Sequence, residues 1–236
     1  VLRVLEETRI PVDLLVVTSA GSAVGALYAS GMQVDEIEQR FMDLDWISSF
    51  QDDPGRAYKP VRRKQEDWRF PVVPGIGVRW DGLHLGGGII AGQNLGFILN
   101  ELTRNAALVE DFDELAIPFR AVATDLETGE QVVLGNGNLS EAIRASMSIP
   151  GVYAPVKREG RLLVDGGVAN NLPVTVAREM GADIVIAVDI TDPLLKAEDL
   201  QEAFSVVGQL TTMMTRMNTE YQLDRLEDTD VLIRPD

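Results

Sequence analysis

The sequence predicts a three-layer α/β domain with a mainly parallel central sheet, on two observations. Strand-like apolar runs alternate with helix-like ones along most of the chain, the order that builds such layers. The first run, Leu14 to Thr18, is apolar and rich in valine, as a parallel strand covered on both faces is. The 236 residues, 45% hydrophobic and 25% charged, suffice for one substantial core and are short for two ordinary domains. Residues 1–236 therefore read as a single domain.

After the first strand, Ala20 to Ala29 is Gly, Ala and Ser with Leu and Tyr, the composition of a closely packing helix. Val34, Ile37, Phe41 and Leu44 recur at helical spacing, with Asp35 near the start as a cap. From about Asp52 to Gly92, prolines and glycines recur too often for a long regular element, and so long a segment reads as a functional cover or binding loop. Gln93 to Asn105 returns to a helical pattern through Leu95, Ile98, Leu99 and Leu102. Pro118 to Leu126 and Gln131 to Leu134 read as paired strands around the polar turn ETGE, with Asn136-Gly137 a second turn. Ser140 opens a helix that stops before Pro150, and Pro173 starts one that Gly181 ends ahead of a strand from Ile184 to Asp189. Leu200, Phe204, Val207, Leu210, Met214, Met217 and Tyr221 lie three or four apart, which predicts a core-facing helix, a lipid-binding methionine face being the alternative. Val231 to Ile233 is a candidate last strand.

Two positions carry chemistry. Ser19 stands at a strand-to-helix turn, where the hydroxyl is pushed out of the backbone toward the first N–H groups of a helix. Asp165 ends the apolar run Leu162 to Val164, and Gly166-Gly167 leave little side-chain bulk in front of its carboxylate. Taken singly, the serine is also an ordinary N-cap and the aspartate an ordinary turn residue. Together they read as nucleophile and base of an acyl hydrolase. A carboxylate of normal pKa, about 4, is a poor base for an alcohol, so the pair requires a partly dry cleft. The Ala20 N–H, one residue after the nucleophile, is the natural oxyanion donor. Asn170, Asn171 and Arg144 are candidates for holding the cleft, or plain turn and cap residues. No substrate-binding residue is assigned.

Competing chemistries find less support. The sole histidine, His84, falls between Ser19 and Asp165, outside the ordinary hydrolase chain order, although a convergent triad is defined by geometry. One histidine and no cysteine leave only carboxylates for a metal, and Asp189 with Asp192, or Asp125 with Glu127, have no restrictive spacing. Gly75-x-Gly77 is not completed, because position 80 is Trp80, and no phosphate-binding loop motif occurs. No metal and no cofactor is expected.

The segments VLRVLEE, IPVDLLVVTSAGSAVGALYASGM, IRASMSIPGVYAPV and GRLLVDGGVANNLPVTVAREMGADIVIAVDI, in that order, resemble the bacterial patatin-like phospholipases. The resemblance covers nearly the whole chain and implies the patatin-like hydrolase fold. It also implies a serine in a G-x-S-x-G elbow and an aspartate in a D-G-[GA] motif with no histidine, which fall on Ser19 and Asp165. The middle portion (RRKQEDWRF, AGQNL, DFDELAIPFRAVATDLETGE) is similar to the patatin domains that certain Gram-negative bacteria carry ahead of an outer-membrane barrel. The implied activity is a serine acyl hydrolase, a phospholipase A or lipid esterase, with a phospholipid or other ester as substrate. The elbow departs from the family pattern: Val17 stands where a glycine is expected, so Val17→Gly is expected to change activity more than stability. The family's glycine-rich loop, which would donate N–H groups to the oxyanion, is expected upstream of Val1. A catalytically impaired binding or assembly module is the alternative.

The net charge of −16 repels phosphates, so nucleic acid and anionic lipid surfaces are improbable generic partners. Peripheral membrane contact would need an apolar face. The local exception is Arg56 to Arg69, six basic residues interleaved with aromatics, read as a solvated loop or as a flap meeting phospholipid head groups. No apolar run reaches the ~20 residues of a spanning helix, and no signal peptide is visible at Val1. A homodimer stays open, as does location: secreted, outer-membrane associated or cytoplasmic.

Overall fold

The valine-rich run forms strand β1 (Leu15–Thr18), which lies parallel to β4 (Phe119–Asp125), with Leu15 opposite Phe119 and Thr18 opposite Val122. The computed structural model describes residues 1–45, 76–79, 82–85, 92–196, 199 and 203–235, of which 76–79, 82–85, 203 and 204 are described as backbone. The basic segment from Arg56 to Arg69 and the glycines Gly86 to Gly88 lie outside the described residues. Within the proline-rich stretch, β2 (Ile76–Arg79) and β3 (Gly82–Leu85) pair antiparallel as a short hairpin.

β4 organises the sheet. β5 (Gln131–Leu134) pairs antiparallel along residues 121–124 of β4, as the turn between them dictates. β7 (Arg161–Asp165) also runs antiparallel to β4, with Ala123 opposite Asp165, and β6 (Val156–Arg158) forms a hairpin with β7. β8 (Ile186–Val188) and β9 (Val231–Ile233) make a separate parallel pair. The α/β fold is thus present, and parallel pairing holds for β1–β4 and β8–β9. β5, β6 and β7 pair antiparallel, for a reason of register. β5 overlaps both β1 and β7 on β4 and so occupies the opposite edge from them. β1 and β7 therefore meet head to head along one edge of β4. Their C-terminal ends face each other at the adjacent positions Val122 and Ala123, an arrangement that requires β7 to run antiparallel to both.

The helices supply the covering layers. α1 (Leu2–Glu7) is joined to α3 (Val34–Asp43) by Arg3, which pairs with Asp35 and Glu38. α3 begins at Val34 after Gln33, one residue before the expected cap, so that Asp35 and Glu36 occupy the first turn. α2 (Ala20–Ala29) and α5 (Leu139–Ser146) bury alanines against alternate residues of β4: Ala23, Ala26, Ala142 and Ala145 share one cluster with Phe119, Ala121 and Ala123. Small side chains on both sides let helix and sheet backbones approach closely. α4 (Gln93–Leu102) joins this core through Leu95 and Leu99 and ends short of Asn105, where a 3-10 turn follows at Arg104–Ala106. α5 opens one residue before Ser140, under Asn138, whose side-chain oxygen accepts the Glu141 N–H. α6 (Val174–Glu179) follows Pro173 as expected and packs in a separate cluster with Leu172, Val185 and Ala187. β8 is shorter than expected because Arg178 holds the carbonyls of Ala182 and Asp183 in a turn before it.

The last helix, α7 (Ala203–Leu223), overturns an expectation. Val207, Leu210, Met214, Met217 and Tyr221 do not face the core but are exposed, while Gln209, Thr219 and Gln222 are buried. The buried side chains have partners: Gln222 bonds Thr175, and Gln209 bonds the backbone of Leu195. Hydrophobic spacing gave the helix correctly and its orientation wrongly, because hydrogen bonds fix its inner face. Leu200 lies outside the described residues.

Candidate active site

Ser19 leaves β1 at φ 51° and ψ −127°, a conformation adopted without strain only by glycine. Three hydrogen bonds hold it there. Its N–H donates to Ser146 Oγ at 2.9 Å, and its carbonyl accepts from the N–H (2.8 Å) and Oγ (2.6 Å) of Ser22. Ser146, fully buried, donates its own hydroxyl to the Val122 carbonyl at 2.6 Å. Although Ser19 occupies the N-cap position of α2, its side chain caps nothing. Instead Ser19 Oγ donates to Asp165 Oδ2 at 2.6 Å.

Asp165 is 5% exposed at the end of β7. Its Oδ1 accepts the Gly167 N–H at 2.7 Å, its N–H donates to the Ser148 carbonyl at 2.9 Å, and its carbonyl accepts from Thr124 Oγ1 at 2.8 Å. Burial pushes its carboxyl up to about 6, against the opposing pull of the hydrogen bonds from Ser19 and Gly167. The first glycine after it is required by contact. A Cβ on Gly166 would stand 2.1 Å from the Val122 carbonyl oxygen, because the chain leaving β7 crosses β4 where β1 ends.

Val17 fits. A Cβ on Gly25 would stand 2.9 Å from Val17 Cγ1, so the absent side chain on α2 is the space a Val17 methyl fills. The elbow thus accommodates a β-branched residue through Gly25, one turn beyond Gly21.

The remaining sequence candidates divide. Ala20 is exposed, and its N–H, in the first turn of α2, has no intrahelical acceptor by geometry. Asn170 supports the elbow: its carbonyl accepts from Thr18 Oγ1 at 2.9 Å, and its side chain donates to Gln131 at 2.7 Å. Asn171 instead faces α7, donating its N–H to Asn218 Oδ1 and its side-chain amide to Thr191 and Thr219. Arg144 is buried, bonded to Ser148 Oγ and stacked 4.6 Å over the Tyr153 ring, so it braces the segment that holds Asp165. His84 is a β3 residue opposite Gly77, and its side chain lies outside the described residues. Among the described residues no group of three or more ligating side chains could hold a metal ion.

Sequence reading did not single out Ser146, Ser148 or Thr124, which clamp the two motif residues. Nor did it find Thr215 and Asn218 of α7, which donate to the Gly167 carbonyl at 3.1 and 2.8 Å. The two-residue spacing of Ser146 and Ser148 in RASMS was the available signal.

A strand that delivers a strained serine into the start of a helix is the geometry of the α/β serine hydrolase elbow. The chain belongs to the patatin-like phospholipase family, whose model matches residues 1–178. It is 32% identical over 192 residues, 80% of its length, to human patatin-like phospholipase domain-containing protein 6, and 33% identical over 196 residues to lysophospholipase NTE1 of Mycosarcoma maydis. A 78-residue stretch is 49% identical to an uncharacterised NTE family protein of Mycobacterium bovis. The chain spans 12% of the human relative's length and 9% of the fungal one's.

Proposed function

We propose that the chain is the hydrolytic domain of a lipid esterase that cleaves phospholipid or lysophospholipid acyl esters, with Ser19 as nucleophile and Asp165 as base. The 2.6 Å contact from Ser19 Oγ to a buried carboxylate carries the reading. As Ser19 Oγ bonds to the ester carbonyl carbon, its proton passes to Asp165 Oδ2. The carbonyl oxygen becomes an oxyanion beside the Ala20 N–H and the positive end of α2. Collapse breaks the carbon–oxygen bond to the alcohol, which leaves with the proton from Asp165. A water then gives a proton to Asp165 and attacks the acyl-Ser19 ester, and the fatty acid departs as Ser19 recovers its hydrogen. The relatives, a patatin-like phospholipase domain-containing protein and a lysophospholipase, support the substrate class.

In the intact protein, Ser19→Ala and Asp165→Asn should each abolish hydrolysis of lysophosphatidylcholine and of a soluble aryl ester, with unchanged circular dichroism. A fluorophosphonate probe should label the parent and not the Ser19 variant. Failure of the parent both to label and to hydrolyse either ester would favour the alternative, a binding or assembly module.

A further inference from the structure

We infer that the outer face of α7, the helix whose inner face holds the active-site turn, is a docking surface for a zwitterionic lipid surface; this rests on the hydrolase reading. Val207, Leu210, Met213, Met214, Met217 and Tyr221 are all exposed, Leu210 at 56% and Met217 at 72%. At 3.6 residues per turn they fall within an arc of about 120°, a continuous apolar stripe on a helix ~30 Å long. An ordinary surface helix turns such a stripe inward. Here the opposite face is committed: Gln209 and Gln222 are buried and hydrogen-bonded, and Thr215 and Asn218 hold the Gly167 carbonyl. The stripe is therefore fixed outward by the same side chains that fix the D-G-G turn.

Position and charge choose the occupant. Gly167, which donates to Asp165, is tied directly to the inner face of α7, so the helix that carries the stripe also holds the turn of the dyad. Val207 also stands near Gly151, and Ile149 in the same loop is exposed. That loop runs on from Ser146 and Ser148. Between Ala203 and Leu223 the charged residues are Arg216 and Glu220, which cancel, in a chain of net charge −16. A neutral apolar stripe suits a surface without net charge, whereas an anionic surface or a second −16 copy is opposed by long-range repulsion. Methionines adapt to a fluid partner. Among the described residues no helix is long and apolar enough to cross a membrane, so α7 lies on the surface.

The test uses the intact protein carrying Ser19→Ala, so that binding is read without turnover. It should co-float with dioleoylphosphatidylcholine vesicles, and less with vesicles rich in phosphatidylglycerol. Leu210→Glu with Met217→Glu, and separately Met213→Gln with Met217→Gln, should reduce flotation at least about tenfold at unchanged melting temperature. With Ser19 restored, the same pairs should lower hydrolysis of vesicle lipid to a similar extent and leave a soluble aryl ester untouched. Absent or unaltered flotation overturns the inference, as does a preference for anionic vesicles. A parent dimer that the substitutions dissolve into monomers would assign the face to a second copy instead. Loss of aryl ester hydrolysis in the parent would count against the hydrolase reading alone, because flotation is read independently of it.

Discussion

Asp165 is asked to be two things at once. In the proposed role of base it must be ionised, and burial resists that, pushing its carboxyl up to about 6. Activity toward a soluble ester should therefore rise as pH passes through about 6 and level off above it, since the protonated acid cannot accept the Ser19 hydrogen. The same shift acts on stability with the opposite sign. With the folded pKa raised from 3.8, the folded state binds the proton more tightly than the unfolded one. The associated stability is complete below 3.8 and lost as pH rises through about 6, amounting to ~3 kcal/mol at most. Asp165→Asn cannot ionise. Its melting temperature relative to the parent should climb between pH 4 and pH 8 by ~6 °C or more, while any fixed offset reports the altered hydrogen bonds. A difference that stays flat across that range would show that the carboxylate is not desolvated as its burial implies.

At the scale of elements, β1 and α2 are matched by subtraction: Gly25 lacks the atoms that Val17 supplies. Gly25→Ala should cost ~1–3 kcal/mol, because the stiff Val17 side chain cannot swing away. Val17→Ala in the same protein should recover part of the loss, a coupling that a double-mutant cycle in urea measures. Simple addition of the two effects would show that the helix shifts rather than clashes. Val17 also packs against the main core cluster, so Val17→Gly leaves a void and a freer strand, and its effect on stability should not be small. The sequence made this pairing half legible: the run of small residues in α2 announced close packing, but not which residue it would be close to. Likewise the Ser19 and Asp165 motifs were visible from their flanking runs and glycines. Their pairing was expected from their chemistry and from the family resemblance, but its structural basis was not, because it depends on β1 and β7 sharing one edge of β4, a relation between residues 15–18 and 161–165 that no local pattern encodes. α7 marks the sharper limit. Periodicity locates a stripe, and partners decide whether it faces in or out; here those partners were Leu195 and, farther away in sequence, Gly167, Asn171 and Thr175.

For the whole molecule the governing number is the net charge of −16. Its carboxylates repel one another more in the compact state than in the unfolded chain, so folding should be weakened at low ionic strength. Screening shortens the reach of that repulsion from ~30 Å at 0.01 M salt to ~8 Å at 0.15 M. The melting temperature at pH 8 should therefore rise by a few degrees over this range and then flatten. Ion pairs respond oppositely, but those between exposed partners, such as Arg40 with Glu36, contribute little to begin with. Binding to zwitterionic vesicles should behave differently from stability in the same titration. Contact through α7 is apolar and locally neutral, so flotation should change little with salt, whereas attachment through a basic segment would weaken steeply as salt is added. A melting temperature that rises while flotation holds constant places the charge in the bulk of the molecule and the lipid contact on its neutral face. Flotation that falls with salt would move the contact to the basic segment from Arg56 to Arg69 instead.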